Sequence, residues 1–204
     1  MKLYYSPGAC SLATRISLHE AGLTADCERV DLKTKTTESG RDFIAINPAG
    51  SVPMLVLDDG TPVTENVAVL DLLAQRAPQL GVDGPLGRTR LIEMLSYLST
   101  ELHIAFKPFW HGGEAGKAAA GAAVGKRLAW LERRLAGPYL FGGEFSVADA
   151  YLFVMLRWAK DFGLPFPPRL LDFFERVAAR SAVRDAIAEE SSAEAKPAPV
   201  LASA

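Results

Sequence analysis

The sequence predicts an α/β unit followed by an all-helical one. Three observations carry this. Short strand-like and helix-like stretches alternate in the order β-α-β-α-β-β-α within the first 78 residues. A Gly- and Pro-rich stretch, "APQLGVDGPLG", then interrupts the chain. Beyond it every long segment has helical periodicity. We therefore expect an α/β domain over 1–78, a linker over 79–87, and a helical domain over 88–204.

"KLYYS" at residues 2–6 reads as a strand closed by Pro7-Gly8. From Ser11, Leu12, Ile16 and Leu23 recur at helical spacing. "DCERVDL" alternates as a strand does, and "RDFIAINPAG" reads as a short helical segment ending near Asn47-Pro48. "SVPMLVLDDGTPVTE" reads as strand, Asp-Gly turn, strand. Glu65 to Ala77 is helical, with Val67, Leu70, Leu73 and Ala74 on one face. In the second unit we expect helices over Arg88–Trp110, Glu114–Leu135, Ser146–Phe162 and Arg169–Ala179, then a short fifth. Ser146-Val-Ala-Asp149 has the form of a capping box, a folding device. The tail from about Glu190 lacks periodicity and is expected to fray.

The 204 residues are 49% hydrophobic with a formal net charge of −2. Such a balance gives no electrostatic footprint for nucleic acid or an anionic membrane. No apolar run is long enough to span a bilayer and none follows a basic start, so we expect no membrane segment and no secretory signal. The two cysteines, Cys10 and Cys27, match no zinc or CxxC spacing. His19 and His111 lack ligand-spaced partners, so no metal is assigned. A cytoplasmic protein with free thiols is expected. "HGGEAGKAAAG" fails the phosphate-loop pattern, because Ala118 replaces the hydroxyl and no strand precedes it.

The chemistry centres on "SPGACSLA". Pro7-Gly8 turns the chain so that Cys10 lands at a helix N-terminus. First-turn amides there favour a thiolate, and the Cys10 pKa is expected below the ordinary value of about 8.5. Ala13 stands where a resolving cysteine would be needed, so Cys10 is at most a monothiol. Ser11 is a second candidate, as a hydroxyl donor to a bound thiolate or as an ordinary N-cap. In "GSVPMLVL", Pro53 opens a strand as the cis-proline of thioredoxin-like folds does. A cis bond there turns the Val52 backbone outward, toward a peptide-like ligand. In "VTENVAVL", Glu65 and Asn66 start a helix whose amides suit a carboxylate while Glu65 takes an ammonium; helix capping is the plainer alternative.

"MKLYYSPGACSLATRISLHEAGL", "NPAGSVPMLVLDDG", "TEN", "ELHIAFKPFW" and "FSVADAYLFVMLRW" together resemble the bacterial beta-class glutathione transferases, from Met1 to about Ala188. The resemblance implies a thioredoxin-like N-terminal domain holding glutathione as co-substrate and a helical domain holding a small hydrophobic electrophile. It also implies a homodimer and a detoxification role. By position, Cys10 lies beside the glutathione sulfur, and His103 reaches that sulfur from the helical domain. Lys35 meets the glycine carboxylate, Val52 pairs with the cysteinyl unit next to Pro53, and Glu65 and Asn66 hold the γ-glutamyl end. Ser96 and Glu101 fall where the family touches glutathione across the dimer or nearby, and Trp158 at the site wall. The electrophile pocket is expected near Phe106, Phe109, Trp110 and Trp158. Ile104 and Asn66 depart from residues common in the family, lysine and Ser or Gly respectively. The activity implied is conjugation of the glutathione thiolate, with thiol–disulfide exchange through Cys10 as an accompaniment. The alternatives are a glutathione-dependent reductase or dehalogenase, and a non-catalytic glutathione-binding or regulatory dimer.

Overall fold

The computed structural model describes residues 1–194. The first half runs β1 (Lys2–Tyr5), α1 (Ser11–Glu20), β2 (Asp26–Asp31), β3 (Thr36–Thr37), α2 (Phe43–Ile46), β4 (Met54–Val56), β5 (Pro62–Thr64) and α3 (Asn66–Arg76). The strands form one mixed sheet in the order β3-β2-β1-β4-β5. β1 pairs parallel with β2, Leu3 opposite Cys27, and antiparallel with β4, Leu3 opposite Leu55. The α/β plus all-α class holds. One element is added to the expected order, since β3 is a two-residue strand paired antiparallel with β2.

The second half comprises α4 (Gly87–Tyr97), α5 (Ile104–His111), α6 (Glu114–Arg134), α7 (Val147–Asp161), α8 (Pro168–Ala178) and α9 (Ser181–Glu194). The helix expected over Arg88–Trp110 is not continuous. A π-helical turn, Leu98–His103, separates α4 from α5, and such turns recur at functional sites because they re-aim side chains. The short fifth helix is in fact fourteen residues long. It carries order to Glu194 where the chain was expected to fray from Glu190, and the remainder of that tail lies outside the described residues. Buried Glu190 gives the reason: its carboxylate accepts the Gly8 amide at 2.8 Å, tying α9 to the first half.

α7 is the central helix, with every residue from Val147 to Leu156 buried, so it is apolar all round rather than striped. Its start is fixed by the capping box. Asp149, fully buried, accepts from the amides of Ser146 and Leu140 at 2.8 Å each and from Ser146 Oγ. One continuous apolar core runs from Leu3, Leu12 and Ile16 through Leu70 and Leu73 to Leu102, Phe106, Tyr151 and Phe173. A bidentate Arg180–Glu20 pair adds a polar clamp between α1 and the segment before α9. On the opposite face of the sheet, buried Glu28 gathers Lys2, Arg41 and Ser39. Burial opposes ionisation there. The hydrogen bonds from Lys2, Ser39, Thr37 and Arg41 outweigh it and hold the carboxyl at about 2. This network anchors the segment that follows Lys35.

Candidate functional site

Gly8 lies at φ +69° with open space where a Cβ would sit, so the left-handed backbone alone calls for glycine at this turn. The turn is gripped from the helical half on both sides. Its amide donates to Glu190, and its carbonyl accepts from Trp158 Nε1 at 2.7 Å. Cys10 follows as the residue that caps α1, in helical backbone geometry and without a side-chain cap bond. Its Sγ donates to the Val52 carbonyl at 3.5 Å, across from a Val52–Pro53 bond that is cis.

Two expectations for this turn need correction. The Cys10 thiol is not acidified in the unliganded protein. Burial pushes it up to about 12, with the Glu65 carboxylate adding to the rise, against the weaker pull of the Cys10 and Ser11 amides. Desolvation of a thiolate here exceeds what first-turn amides return, so Cys10 is a neutral S–H donor. Burial raises Cys27 as well. Ser11, fully buried, turns its hydroxyl back onto Ser6, accepting from the Ser6 amide at 3.2 Å and lying 3.3 Å from the Ser6 carbonyl. It secures the turn and presents only its backbone amide to Cys10.

Glu65 caps α3 at φ +68°, a conformation that costs a non-glycine residue roughly 1–3 kcal/mol. Its carboxylate makes no capping bond and stays exposed. The plainer capping role is thus not the one it plays. Asn66 beside it is buried; Thr14 Oγ1 donates to its Oδ1 at 3.2 Å, and its Nδ2 has no partner at hydrogen-bond distance. Lys35, also at positive φ, sends its Nζ to the Gly50 carbonyl at 2.8 Å, on the loop that leads to Val52 and Pro53.

From the helical half, the π turn delivers His103. Its Nδ1 lies 2.8 Å from the Tyr151 hydroxyl, and its ring meets Trp158 edge-on at 4.9 Å. Burial, helped by the Lys107 charge, pushes its pKa down to about 4, so the imidazole is neutral at pH 7. Tyr151 is the residue the sequence reading missed. Burial raises its hydroxyl pKa, as do the nearby Cys10 and Glu65, while Ser99 and Asn66 pull the other way. It therefore stands among the groups named above. A signal existed: Tyr151 and Trp158 are seven apart on one helix, two turns, hence on one face. Ser96 and Glu101 are not joined to this cluster within the chain. Ser96 offers its carbonyl to Thr100 Oγ1, and Glu101 pairs with Arg127 at 2.8 Å on the α6 side.

Beyond His103 lies an aromatic wall. Phe106, fully buried, is 5.6 Å from Trp158 and 6.1 Å from Phe109, and Trp110 meets Trp158 edge-on at 4.9 Å. Phe162, absent from the expected set, stacks on Phe109 at 4.5 Å. Trp110 keeps 45% of its surface exposed, marking the open rim. Together the cluster brings a thiol and a neutral imidazole to one buried phenol, with an exposed carboxylate at Glu65 nearby and aromatic faces beyond. Among the described residues no three His, Cys, Asp or Glu side chains gather as metal ligands, and no helix is long and apolar enough to cross a membrane.

Residues 8–76 match the family model for the glutathione S-transferase N-terminal domain, and residues 67–179 match that for the C-terminal domain. The chain is 40% identical over 198 residues to glutathione S-transferase GstA of Escherichia coli O157:H7, covering 93% of this chain and 98% of that protein. A sphingomonad glutathione S-transferase solved in complex with glutathione superposes with a TM-score of 0.87 at 41% identity, covering 94% of this chain and 99% of that one. A bacterial beta-class glutathione S-transferase from Sphingomonas chungbukensis gives 0.86 at 44% identity, covering 93% and 98%.

Proposed function

The chain belongs to the glutathione S-transferase family, in its bacterial beta class, and from that premise we propose how its own residues carry out glutathione conjugation. Glutathione lies along the loop before β4. Its glycine carboxylate meets Lys35, its cysteinyl backbone pairs with Val52 beside Pro53, and its γ-glutamyl end meets Glu65 and the first-turn amides of α3 with Asn66. The sulfur rests between Cys10 and His103. Both groups are neutral in the free protein, so each stabilises a thiolate by donating a hydrogen bond rather than by charge. The α1 amides add to that. The thiolate attacks a small apolar electrophile held against Phe106, Phe109, Trp110 and Trp158. The observations that support this reading are that Cys10 donates to the Val52 carbonyl, and that Tyr151, paired with His103, lies near Cys10 and Glu65. A panel of electrophiles and disulfides assayed with glutathione, beside Cys10→Ala, tests it. Conjugation that survives in the variant while disulfide exchange vanishes is the expected pattern.

Glu65 gives a sharper check on glutathione itself. Its exposed carboxylate is held at positive φ with no partner in its own helix. Glu65→Ala should weaken glutathione binding by about 1.5–3 kcal/mol, the worth of a charge-assisted hydrogen bond to the ligand ammonium. Calorimetry measures it, and an unchanged dissociation constant removes Glu65 from the ligand site.

We further propose a cytoplasmic C₂ homodimer. The face carrying Tyr97 stacked on Trp130 at 4.1 Å, with Glu101 and Arg127 beside them, supports it. Two stacked aromatics flanked by charges of both signs suit a self-complementary patch. Ser96 and Glu101 then approach glutathione at the dimer seam. Sedimentation at micromolar concentration should give about twice the 21.9 kDa chain mass; a 21.9 kDa species alone rejects the dimer.

A further inference from the structure

We propose that Tyr151 is a positioning residue for His103: its buried hydroxyl donates to Nδ1 and so keeps the imidazole proton on Nε2, as a donor to the glutathione sulfur. This rests on the proposed role of His103 and adds to it the residue that fixes the tautomer.

Donors and acceptors around the phenol select the tautomer. A phenol hydroxyl has one proton to give and room to accept two hydrogen bonds. Tyr151 is 1% exposed, so water supplies no alternative partner. His103 Nδ1 lies 2.8 Å away. Two further groups lie near the phenol oxygen, the Ser99 hydroxyl and the Asn66 amide, and both favour negative charge on it. The Asn66 amide is turned that way because Thr14 Oγ1 holds its Oδ1 at 3.2 Å. Its Nδ2 has no other partner and approaches the phenol from beyond full hydrogen-bond length. Of the groups around the phenol, Nδ1 is the acceptor at hydrogen-bond distance, 2.8 Å away, and we assign the Tyr151 proton to it.

A neutral imidazole that accepts at Nδ1 carries its proton on Nε2. The neutral state of His103 makes this choice consequential, because a doubly protonated ring would donate from both nitrogens whatever its neighbours did. The π turn contributes twice, since it brings both Ser99 and His103 to the same phenol. Asn66 comes from α3 and Tyr151 from α7, so the group that orients the imidazole is itself held from both halves of the chain.

Nitrogen-15 spectra of the His103 ring and a double-mutant cycle test this. In the wild type, the ring should be the Nε2-protonated tautomer; a ring protonated on Nδ1 overturns the proposal without any variant having to fold. In Tyr151→Phe, the ring should become a mixture of tautomers. The kcat for conjugation should fall by about tenfold, the scale on which a single oriented donor acts, with the KM for glutathione within about twofold. Placed in a His103→Ala background, Tyr151→Phe should change kcat no further. A full and additive loss there overturns the proposal, since Tyr151 would then act by another route. If His103→Ala alone leaves conjugation intact, the role of His103 itself fails, an outcome separate from a ring of the wrong tautomer.

Discussion

Asp149→Ala should cost about 3–5 kcal/mol of folding stability, visible as a fall in melting temperature of roughly 10 °C. The side chain is fully buried and takes three donors at once: the amides of Leu140 and Ser146, and Ser146 Oγ. Burial lifts its carboxyl to about 6 against the pull of those donors. The cost of truncation is therefore set by the donors left behind. Each orphaned buried amide costs about 1–3 kcal/mol, and the Ser146 hydroxyl loses its acceptor as well. Asp149→Asn, which keeps one acceptor oxygen, should recover about half of the loss. Urea unfolding midpoints measure both, and a melting temperature unchanged in Asp149→Ala would make the capping box an ornament of α7.

Phe106→Ala should cost a similar amount, about 3–5 kcal/mol, through lost burial and the cavity left behind. Phe106 has no exposed surface and is ringed by Phe109, Trp110, Trp158 and Phe162 at centroid distances of 5.6–6.3 Å. Its removal also loosens the wall proposed for the electrophile. The expected signature is split. The KM for an apolar electrophile should rise, while calorimetric glutathione affinity stays within about twofold, because none of the proposed glutathione contacts is an aromatic neighbour of Phe106. Equal losses on both substrates would mean that the aromatic cluster serves the fold alone.

What could be read in the sequence was what is local. The strand and helix order of the first half followed from period and turn residues, and the capping box from four letters, Ser146 to Asp149. β3 escaped because two threonines carry no period; β2 makes them a strand by pairing with them. The break in the long helix after Tyr97 escaped because a π turn inserts no Pro or Gly and leaves the apolar pattern nearly intact. At the site, the positions of Cys10, Val52, Pro53, Glu65 and His103 were legible from motifs. The state of Cys10 was not. The amides that favour its thiolate are neighbours in sequence, whereas the burial that overrides them and the Glu65 charge that adds to it come from the fold, with Val52 against the sulfur. Tyr151 was hidden for the same reason: within "VADAYLFVML" it reads as one more core residue, and its hydroxyl finds His103 at 2.8 Å on the π turn opposite.

In the proposed mechanism the ionising sulfur belongs to glutathione and Cys10 remains its neutral neighbour. Ultraviolet titration of thiolate absorbance tests this directly. With Cys10 raised to about 12 and Cys27 also raised by burial, the ligand-free protein should show no thiolate near pH 7. Glutathione at saturation should add one thiolate that titrates below the ordinary thiol value of about 8.5. The same step should appear in Cys10→Ala, shifted upward by the loss of one S–H donor. A thiolate in the ligand-free protein near pH 7, abolished by Cys10→Ala and not increased by glutathione, would contradict the account and make Cys10 the nucleophile.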